Sequence, residues 1–256
     1  RTPREKFAAN ITAIRTLKSI EKRMADGGPH ANSEEQEILA QYSGWGGLSD
    51  AFEPNKDSWH GEYTELKSLL TEEEYAAARS STLTAFYTPP EVIDAMYPAL
   101  RKMGVGAGTI LEPSMGAGAV FGQSHSYLYE TTTRLFGVEL DSLTGRIARQ
   151  LYQKANIQIT GFEKADLPDS FFDVVIGNVP FGDYSVVDPQ YNRLHFKIHD
   201  YFFAKSIDKL RTGGIIAFIT TSGTLDKKSE EVRRYINARW DFIGAVRLPD
   251  STFKSA

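Results

Sequence analysis

Short apolar runs alternate with helical patterns from about residue 87 to residue 248, and this alternation restricts the fold more than any other feature of the sequence. The apolar runs are bounded by turn-forming residues and are too short for buried helices, so we predict that they are strands. Short buried strands alternating with helices indicate an α/β fold, in which helices cover both faces of a parallel sheet. We predict strands at 109–111, 135–140, 157–160, 172–176, 214–220 and 242–248. We predict a helix that is opened by Thr88-Pro89-Pro90-Glu91 and runs through about Lys102, and further helices near 141–154, 199–211 and 226–239.

The N-terminal part of the chain has helical patterns without strands between them. Apolar residues recur every three or four positions over Phe7–Ile20, which indicates a helix with one apolar stripe. Asn32 or Ser33 is suited to cap the start of a second helix. Residues 64–80 also have a helical pattern. We therefore expect a small bundle of helices before the sheet.

The chain has 256 residues, enough for one α/β domain with a helical appendage. We expect the helical segment to cover residues 1–86 and the α/β domain to cover residues 87–256. Because Arg1 is not an initiator residue, we also expect the sequence to be part of a longer polypeptide.

Composition excludes several classes of protein. The chain has no cysteine, which excludes a disulfide scaffold, a thiolate nucleophile and a cysteine-ligated zinc or iron–sulfur site. A net charge of −4 argues against a protein that holds nucleic acid by bulk positive charge. No apolar run approaches the length of a membrane span, and no signal peptide opens the chain. We therefore expect a soluble, cytoplasmic protein without a membrane partner.

A turn containing glycines, Leu111–Gly122, directly follows the first predicted strand. Gly116 and Gly118 allow the backbone to approach a ligand closely, which side chains would prevent. The spacing differs from the dinucleotide pattern G-x-G-x-x-G, and a tight turn that requires small residues is the alternative interpretation. Glu139, at the end of the second strand, can accept both hydroxyl protons of a ribose. Together, the turn and the acid favour a ligand site at the carboxyl edge of the sheet.

A second loop with candidate functional residues follows the strand 172–176 at the same edge. The side-chain oxygen of Asn178 and the carbonyl of Val179 can both accept hydrogen bonds from a flat amine, Pro180 stiffens the turn, and Phe181 offers a stacking face. The alternative is an ordinary loop in which the asparagine tolerates unusual dihedral angles and the phenylalanine packs inward.

Taken in chain order, these motifs resemble those of the adenine-N6 DNA methyltransferases whose cofactor-binding motifs precede the catalytic loop. The resemblance rests on Glu112–Gly118, Glu139 and Asn178–Phe181, with Tyr87–Glu91 before them. It runs from about Tyr87 to the C-terminus. It implies a Rossmann-like, S-adenosylmethionine-dependent methyltransferase sheet.

The leader of the chain carries a second resemblance. Phe7–Glu53, which includes Gly44-Trp-Gly-Gly-Leu, is similar to the leader of large methylases carried by phages, plasmids and conjugative elements, often fused to a helicase-like region. This implies that a recognition or helicase domain lies elsewhere in the full-length protein.

The resemblance implies that S-adenosyl-L-methionine lies across the strand ends. Thr88 and the backbone of the glycine turn would bind its methionine carboxylate, and Glu139 would hold its ribose. Phe162 would pack on its adenine. The family usually has an acid for the adenine amine where this chain has Gly161, and whether Glu163 or Asp166 replaces it stays open. The implied cofactor-binding residues are Thr88, Glu112, Pro113, Ser114, Gly116, Gly118, Glu139, Phe162 and Asp166.

The resemblance also implies roles for the loop Asn178–Phe181. Asn178 and the Val179 carbonyl would hold the target amine, and Phe181 would stack on an adenine flipped out of double-stranded DNA. Val179 stands where proline is commoner in the family, but it offers the same carbonyl. Pro180 completes the implied catalytic set of Asn178, Val179, Pro180 and Phe181.

The family sheet normally ends in an antiparallel hairpin, whose last strand would follow Phe253. We therefore expect that last strand to be missing from this chain, and the predicted strand 242–248 to be partly unpaired. We expect a long polar loop near the substrate at 184–197, and no metal site at His195 or His199, because neither belongs to an acidic cluster.

Two further functions remain open on the sequence alone. A loop that grips a flat amine would also suit methylation of a glutamine amide in a protein or of an exocyclic amine in RNA. The chain could also be a non-catalytic methyltransferase-fold module in a larger polypeptide.

Overall fold

A computed structural model describes residues 1–82, 88–128, 132–249 and 251–253 of the chain. Its five strands form one sheet in the order β3-β2-β1-β4-β5, and the ladders between β1 and β2, β1 and β4, and β4 and β5 are parallel. The predicted α/β fold is thus confirmed. The strands are β1 (Gly108–Glu112), β2 (Thr133–Glu139), β3 (Asn156–Ile159), β4 (Phe172–Asn178) and β5 (Leu210–Ile219).

Helices precede the sheet and alternate with its strands. Four lie in the predicted N-terminal segment, and Asn32 caps the second of them as expected, accepting a hydrogen bond from the Glu35 amide at 2.9 Å. The helices are α1 (Pro3–Ala25), α2 (Ser33–Leu39), α3 (His60–Leu69), α4 (Glu72–Ser81), α5 (Pro90–Lys102), α6 (Ala119–Tyr127), α7 (Ser142–Leu151), α8 (Ile198–Lys209), α9 (Gly223–Asp226) and α10 (Glu231–Asn237).

The helix predicted over 64–80 is in fact two helices, α3 and α4. Thr71 separates them with a capping box, in which its hydroxyl accepts from the Glu74 amide at 3.2 Å and the Glu74 carboxylate accepts from the Thr71 amide at 3.0 Å. A residue that caps a helix has extended backbone, so the helical pattern is interrupted there.

Apolar residues of β1 and β4 point alternately to two faces of the sheet, and each face is covered. Ile110 and Val174 pack with residues of α5 and α6 on one face. Leu111 and Val175 pack with residues of α8 on the other. This two-sided burial is the reason that the strands read as continuous apolar runs.

The chain divides into two compact units by its internal contacts. One comprises Arg1–Tyr87 with Asp141–Ile159, and the other Thr88–Leu140 with Thr160–Ala256. In the first unit, the side chain of Gln150 in α7 accepts from the Ala31 amide at 3.0 Å, and Arg146 pairs with Glu21 and Glu74. Helix α7 therefore groups with the N-terminal helices, whereas a division of the chain at residue 87 remains a prediction.

The strand predicted at 242–248 was wrong. Residues 241–249 have no regular secondary structure, and the side chains of Phe242, Ile243 and Val246 are 59%, 70% and 86% exposed. An apolar run becomes a strand only where a neighbouring strand takes up its backbone hydrogen bonds, and in the described residues the sheet ends at β5.

The helix predicted near 226–239 was wrong in extent, since within that range only α10, Glu231–Asn237, is a helix beyond residue 226, where α9 ends. Across the described ranges, none of the helices has both the length and the hydropathy that crossing a membrane requires.

Candidate functional site

The carboxyl ends of β1 and β4 flank the point where the order of the strands reverses. From β1 the chain continues outward to β2, and β4 returns to the opposite side of β1. Open α/β sheets bind ligands in the crevice at such a point. Glu112 is the last residue of β1 and Asn178 is the last residue of β4, so the fold places both predicted site residues at this crevice.

The glycine turn lies against the end of β2. The Met115 amide donates to the Val138 carbonyl at 2.9 Å, and the Gly116 amide donates to Oε2 of Glu139 at 2.8 Å. Gly116 has a φ of +56°, and a Cβ added to it would have no atom within 4 Å. The turn therefore needs glycine for its backbone conformation and leaves open space in front of it, as expected for a turn that receives a ligand.

One hydrogen bond joins the two predicted motifs. Oγ of Ser114 donates to the backbone carbonyl of Asn178 at 2.9 Å. The Val179 amide donates to the Ile219 carbonyl at 3.1 Å, which extends the pairing between β4 and β5 past the end of the strand. The glycine turn and the asparagine loop are thus held together, although the strands β2 and β3 lie between them in the sequence.

The residues of the asparagine loop differ in exposure. Val179 is buried, at 2% exposure, and its side chain packs in the core beneath α8. Asn178, Pro180 and Phe181 are half-buried. The ring of Phe181 is therefore not enclosed in the core, whereas the side-chain oxygen of Asn178 is itself buried at the end of β4.

Glu112 is a buried acid at the centre of this arrangement. Its side chain is only 3% exposed, and its Oε2 has no hydrogen-bond partner among the described residues. Burial, followed by the negative charge of Glu139, raises the pKa of Glu112 well above the ordinary value. A cationic group bound in the crevice would offset both effects, so these residues fit a positively charged cofactor.

Glu112 also explains the need for glycine at the end of β4. Gly177 has a φ of +152°, and a Cβ there would lie 3.3 Å from Cγ of Glu112. A side chain at this position would strain the backbone and crowd the acid.

Phe162 lies on the α8 side of the sheet. Its ring is 3% exposed, and its centroid is 4.9 Å from that of Phe202. Phe162 opens a short 3-10 turn, Phe162–Lys164, and Asp166 follows as an exposed residue. Most of the Phe162 ring is thus enclosed by the core.

The position of Glu163 bears on which acid, Glu163 or Asp166, would contact the amine of the cofactor adenine. A Cβ placed on Gly161 would overlap the carboxylate oxygens of Glu163. The Glu163 carboxylate therefore lies where a side chain at position 161 would begin. The sequence left Glu163 and Asp166 both open and included Asp166 in the implied set, and the choice between them stays a prediction.

The remaining predicted residues are less informative. Thr88 is half-buried just before α5, and Pro113 leads from β1 into the glycine turn. Tyr87, the first residue of the motif at the start of the domain, lies outside the described residues.

His199 is buried, and its Nε2 lies 3.6 Å from Oδ2 of Asp200. In the described part of the chain, no three His, Cys, Asp or Glu residues are grouped as a metal site would require.

The chain is similar in sequence to known proteins over the residues that carry these motifs. The model of the family described as N-6 DNA Methylase matches residues 69–256. The chain is 27% identical over 251 residues to the defense against restriction protein B of Escherichia phage P1, which corresponds to 96% of this chain and 9% of that protein. The chain thus spans less than a tenth of the length of this relative.

Two solved structures share the fold. A class I S-adenosylmethionine-dependent methyltransferase structure from Listeria monocytogenes superposes with a TM-score of 0.57 at 16% identity, over 97% of this chain and 84% of that one. The methyltransferase subunit of a type I restriction-modification system from Streptococcus thermophilus gives a TM-score of 0.52 at 18% identity, over 86% of this chain and 58% of that one.

Proposed function

Since the chain belongs to the N-6 DNA methylase family, we propose that it transfers a methyl group from S-adenosylmethionine to the N6 amine of an adenine in DNA. The observation that carries this proposal is the hydrogen bond from Ser114 to Asn178, because it holds the glycine turn and the asparagine loop at one crevice. A methyl donor and an acceptor amine can react only if their sites are adjacent.

The cofactor supplies a methyl group activated by a positively charged sulfur. The backbone of Gly116–Gly118, with Thr88, Pro113 and Ser114 beside it, would receive the methionine part. Glu112 would stabilise its positive charge, since a buried carboxyl without a partner is best ionised next to a cation.

The nucleoside part of the cofactor would lie beyond the glycine turn. Glu139 would bind the ribose while it holds the Gly116 amide. Phe162 would contact the adenine, and Glu163 or Asp166 would accept from the adenine amine. The carboxylate of Glu163 lies over Gly161, which favours Glu163 as the acceptor of the adenine amine.

The target amine would be held by two acceptors, the Asn178 side-chain oxygen and the Val179 carbonyl. The lone pair of an adenine amine is delocalised into the ring, which makes the amine a poor nucleophile. Two hydrogen bonds from its protons favour a pyramidal nitrogen that can attack in line, so the requirement is one of geometry and not of a strong base. Pro180 would keep the loop rigid.

An adenine in a duplex cannot reach this crevice unless it is rotated out of the helix, which costs a few kcal/mol. Stacking on Phe181 would return ~1–3 kcal/mol.

Selection of the DNA sequence would come from a recognition or helicase domain elsewhere in the full-length protein. The name of the phage relative associates it with defence against restriction, and adenine methylation is a chemistry suited to that role.

The proposal is tested with an isotopically labelled methyl donor offered to unmethylated duplex DNA, RNA and protein in parallel. We expect label in DNA. Label only in RNA or protein would overturn the DNA assignment and favour an exocyclic amine in RNA or a glutamine amide. If calorimetry of the folded protein gave no heat with S-adenosylmethionine, a non-catalytic module would be the better description.

Replacement Asn178→Ala tests the roles of the individual residues. It removes one acceptor of the target amine, so we expect transfer to fall by about 10²–10³-fold while calorimetry gives unchanged cofactor affinity. Loss of cofactor binding together with transfer would contradict the assignment of Asn178 to the amine.

A further inference from the structure

A buried cluster of charged and polar side chains lies beneath the loop that follows Phe181. Asp188, Tyr201 and Lys205, which we call the Asp188 cluster, are 5%, 3% and 6% exposed. Nζ of Lys205 lies 3.0 Å from Oδ2 of Asp188, and the Tyr201 hydroxyl donates to the same oxygen at 2.7 Å. None of these residues has a role in the proposed chemistry, so their burial needs another explanation.

Asp188 organises the loop 183–197. Its Oδ1 accepts from the Gln190 amide at 3.1 Å, and its backbone carbonyl accepts from the amides of Tyr191 and Asn192 at 2.9 and 2.8 Å. The side chain of Asn192 in turn accepts from the Asp188 amide at 2.8 Å. The conformation of the loop therefore depends on keeping Asp188 in place.

The same loop adjoins the asparagine loop. Its first aromatic residue, Tyr184, lies so close to Gly182 that a Cβ on Gly182 would overlap the tyrosine ring. The Tyr184 carbonyl accepts from the Ile198 amide at 2.8 Å, which joins the beginning of the loop to the start of α8. Tyr184 is 53% exposed, so the loop presents an aromatic ring to solvent just after Phe181.

Lys205 extends the cluster towards the turn at Phe162. Its Nζ donates to the Glu163 carbonyl at 3.3 Å and lies 5.2 Å from the centroid of the Phe162 ring, within the range of a cation–π contact. One buried ammonium group thus contacts both the loop after the asparagine motif and the turn that would face the cofactor adenine.

The electrostatics of the cluster favour a single arrangement. Burial alone would raise the pKa of Asp188, but hydrogen bonds from Tyr201 and Lys205 lower it below the ordinary value. A buried ion pair is strongly destabilised when one partner moves away, because the other charge is left without compensation. Separation of Asp188 from Lys205 is therefore resisted, and Lys205 also contacts the Phe162 turn.

We propose that Lys205 is a positioning residue that couples the adenine side of the cofactor site to the loop 183–197. This inference rests on the proposed function, because it takes the Phe162 turn to be where the cofactor adenine binds. Cofactor bound at the turn stabilises Lys205, Lys205 stabilises Asp188, and the loop is then held in the conformation that meets DNA. Such a coupling is reciprocal, so DNA that engages the loop also strengthens cofactor binding.

Hydrogen exchange of the loop amides, measured with and without S-adenosylmethionine, tests this coupling. We expect saturating cofactor to slow exchange at residues 184–197 by about 5-fold or more in the unsubstituted protein. In the variant Lys205→Met we expect this slowing to disappear, while the variant binds the cofactor with reduced affinity by calorimetry.

The matched control is Lys209→Met. Lys209 is also a buried lysine of α8, at 8% exposure, and it also pairs with an aspartate, Asp169, at 2.6 Å. Its Nζ donates to the Leu167 carbonyl at 2.8 Å, and neither Leu167 nor Asp169 belongs to the loop 183–197. Loss of a buried charge as such would affect both variants, whereas the proposed coupling predicts that Lys209→Met keeps the cofactor-dependent slowing.

Three results would separate the possibilities. If the unsubstituted protein binds the cofactor but its loop exchange is unchanged, or if Lys205→Met retains the slowing, the coupling is refuted. If the unsubstituted protein binds no cofactor, the proposed function fails first. If Lys205→Met does not fold, the double variant Asp188→Asn/Lys205→Met, which leaves no unpaired charge, takes its place with the same expectation.

Discussion

At the scale of single residues, burial without a partner identifies the most informative side chain. Glu112 is enclosed at the end of β1, near Glu139 and against Gly177, and its Oε2 has no hydrogen-bond partner among the described residues. Such a group costs stability unless a ligand completes it. The acid is therefore better explained by a bound cation than by the stability of the ligand-free fold.

The variant Glu112→Gln is expected to stabilise the ligand-free protein at neutral pH. Because the folded-state pKa of Glu112 is raised, the free energy of unfolding falls as the pH rises from the ordinary value of 4.5 towards the folded value. Glutamine avoids this loss, so we expect a gain of about 1–3 kcal/mol at pH 7 that vanishes below about pH 4.5. Urea unfolding at both pH values measures it, and equal or lower stability at pH 7 would contradict the electrostatic account.

The same variant is expected to bind S-adenosylmethionine more weakly, because a neutral amide cannot compensate a positive charge. Isothermal calorimetry at pH 7 should give at least a 10-fold higher Kd, corresponding to about 1.4 kcal/mol. Glu72→Gln, at an exposed position in the first turn of α4, serves as the control and should leave the Kd unchanged.

At the scale of elements, helix caps and strand partners decide what a periodic pattern becomes. The alternation of strands and helices was predictable, because the strands between covering helices are apolar on both faces. The outcome at 242–248 was not predictable, because a run of apolar residues becomes a strand only beside an available edge. The division between α3 and α4 could have been found from Thr71 and Glu74, which are spaced as a capping box requires.

The variant Thr71→Ala tests this division. It removes the side chain that accepts from the Glu74 amide, so we expect the free energy of unfolding to fall by about 1 kcal/mol. Thr64→Ala is the matched control, since the Thr64 hydroxyl only bonds back to the His60 carbonyl within α3. Thermal unfolding should show a clear decrease for Thr71→Ala alone, and similar decreases in both variants would argue against a capping role.

The candidate site was predictable to a similar degree. The order Glu112, Glu139 and Asn178 placed three candidate site residues at one edge of the sheet, because parallel strands share their carboxyl edge. The bond from Ser114 to Asn178 and the position of Glu163 over Gly161 could not be predicted, since both depend on how loops turn after the strands end.

At the scale of the whole molecule, the chain carries the motifs that we propose bind a methyl donor and an amine, but it has no excess of positive charge. With 29 Lys and Arg against 33 Asp and Glu, it is not expected to hold DNA tightly by electrostatics alone. The match covers only 9% of the phage relative. A domain that selects the DNA sequence is therefore part of what we propose for the full-length protein.

The central claim is that the crevice between β1 and β4 methylates adenine at N6. Mass spectrometry of nucleosides from duplex DNA, incubated with the protein and a labelled methyl donor, tests it most directly. We predict labelled N6-methyldeoxyadenosine with the unsubstituted protein and almost none with Asn178→Ala. Label on another base, or equal amounts with both proteins, would contradict the account.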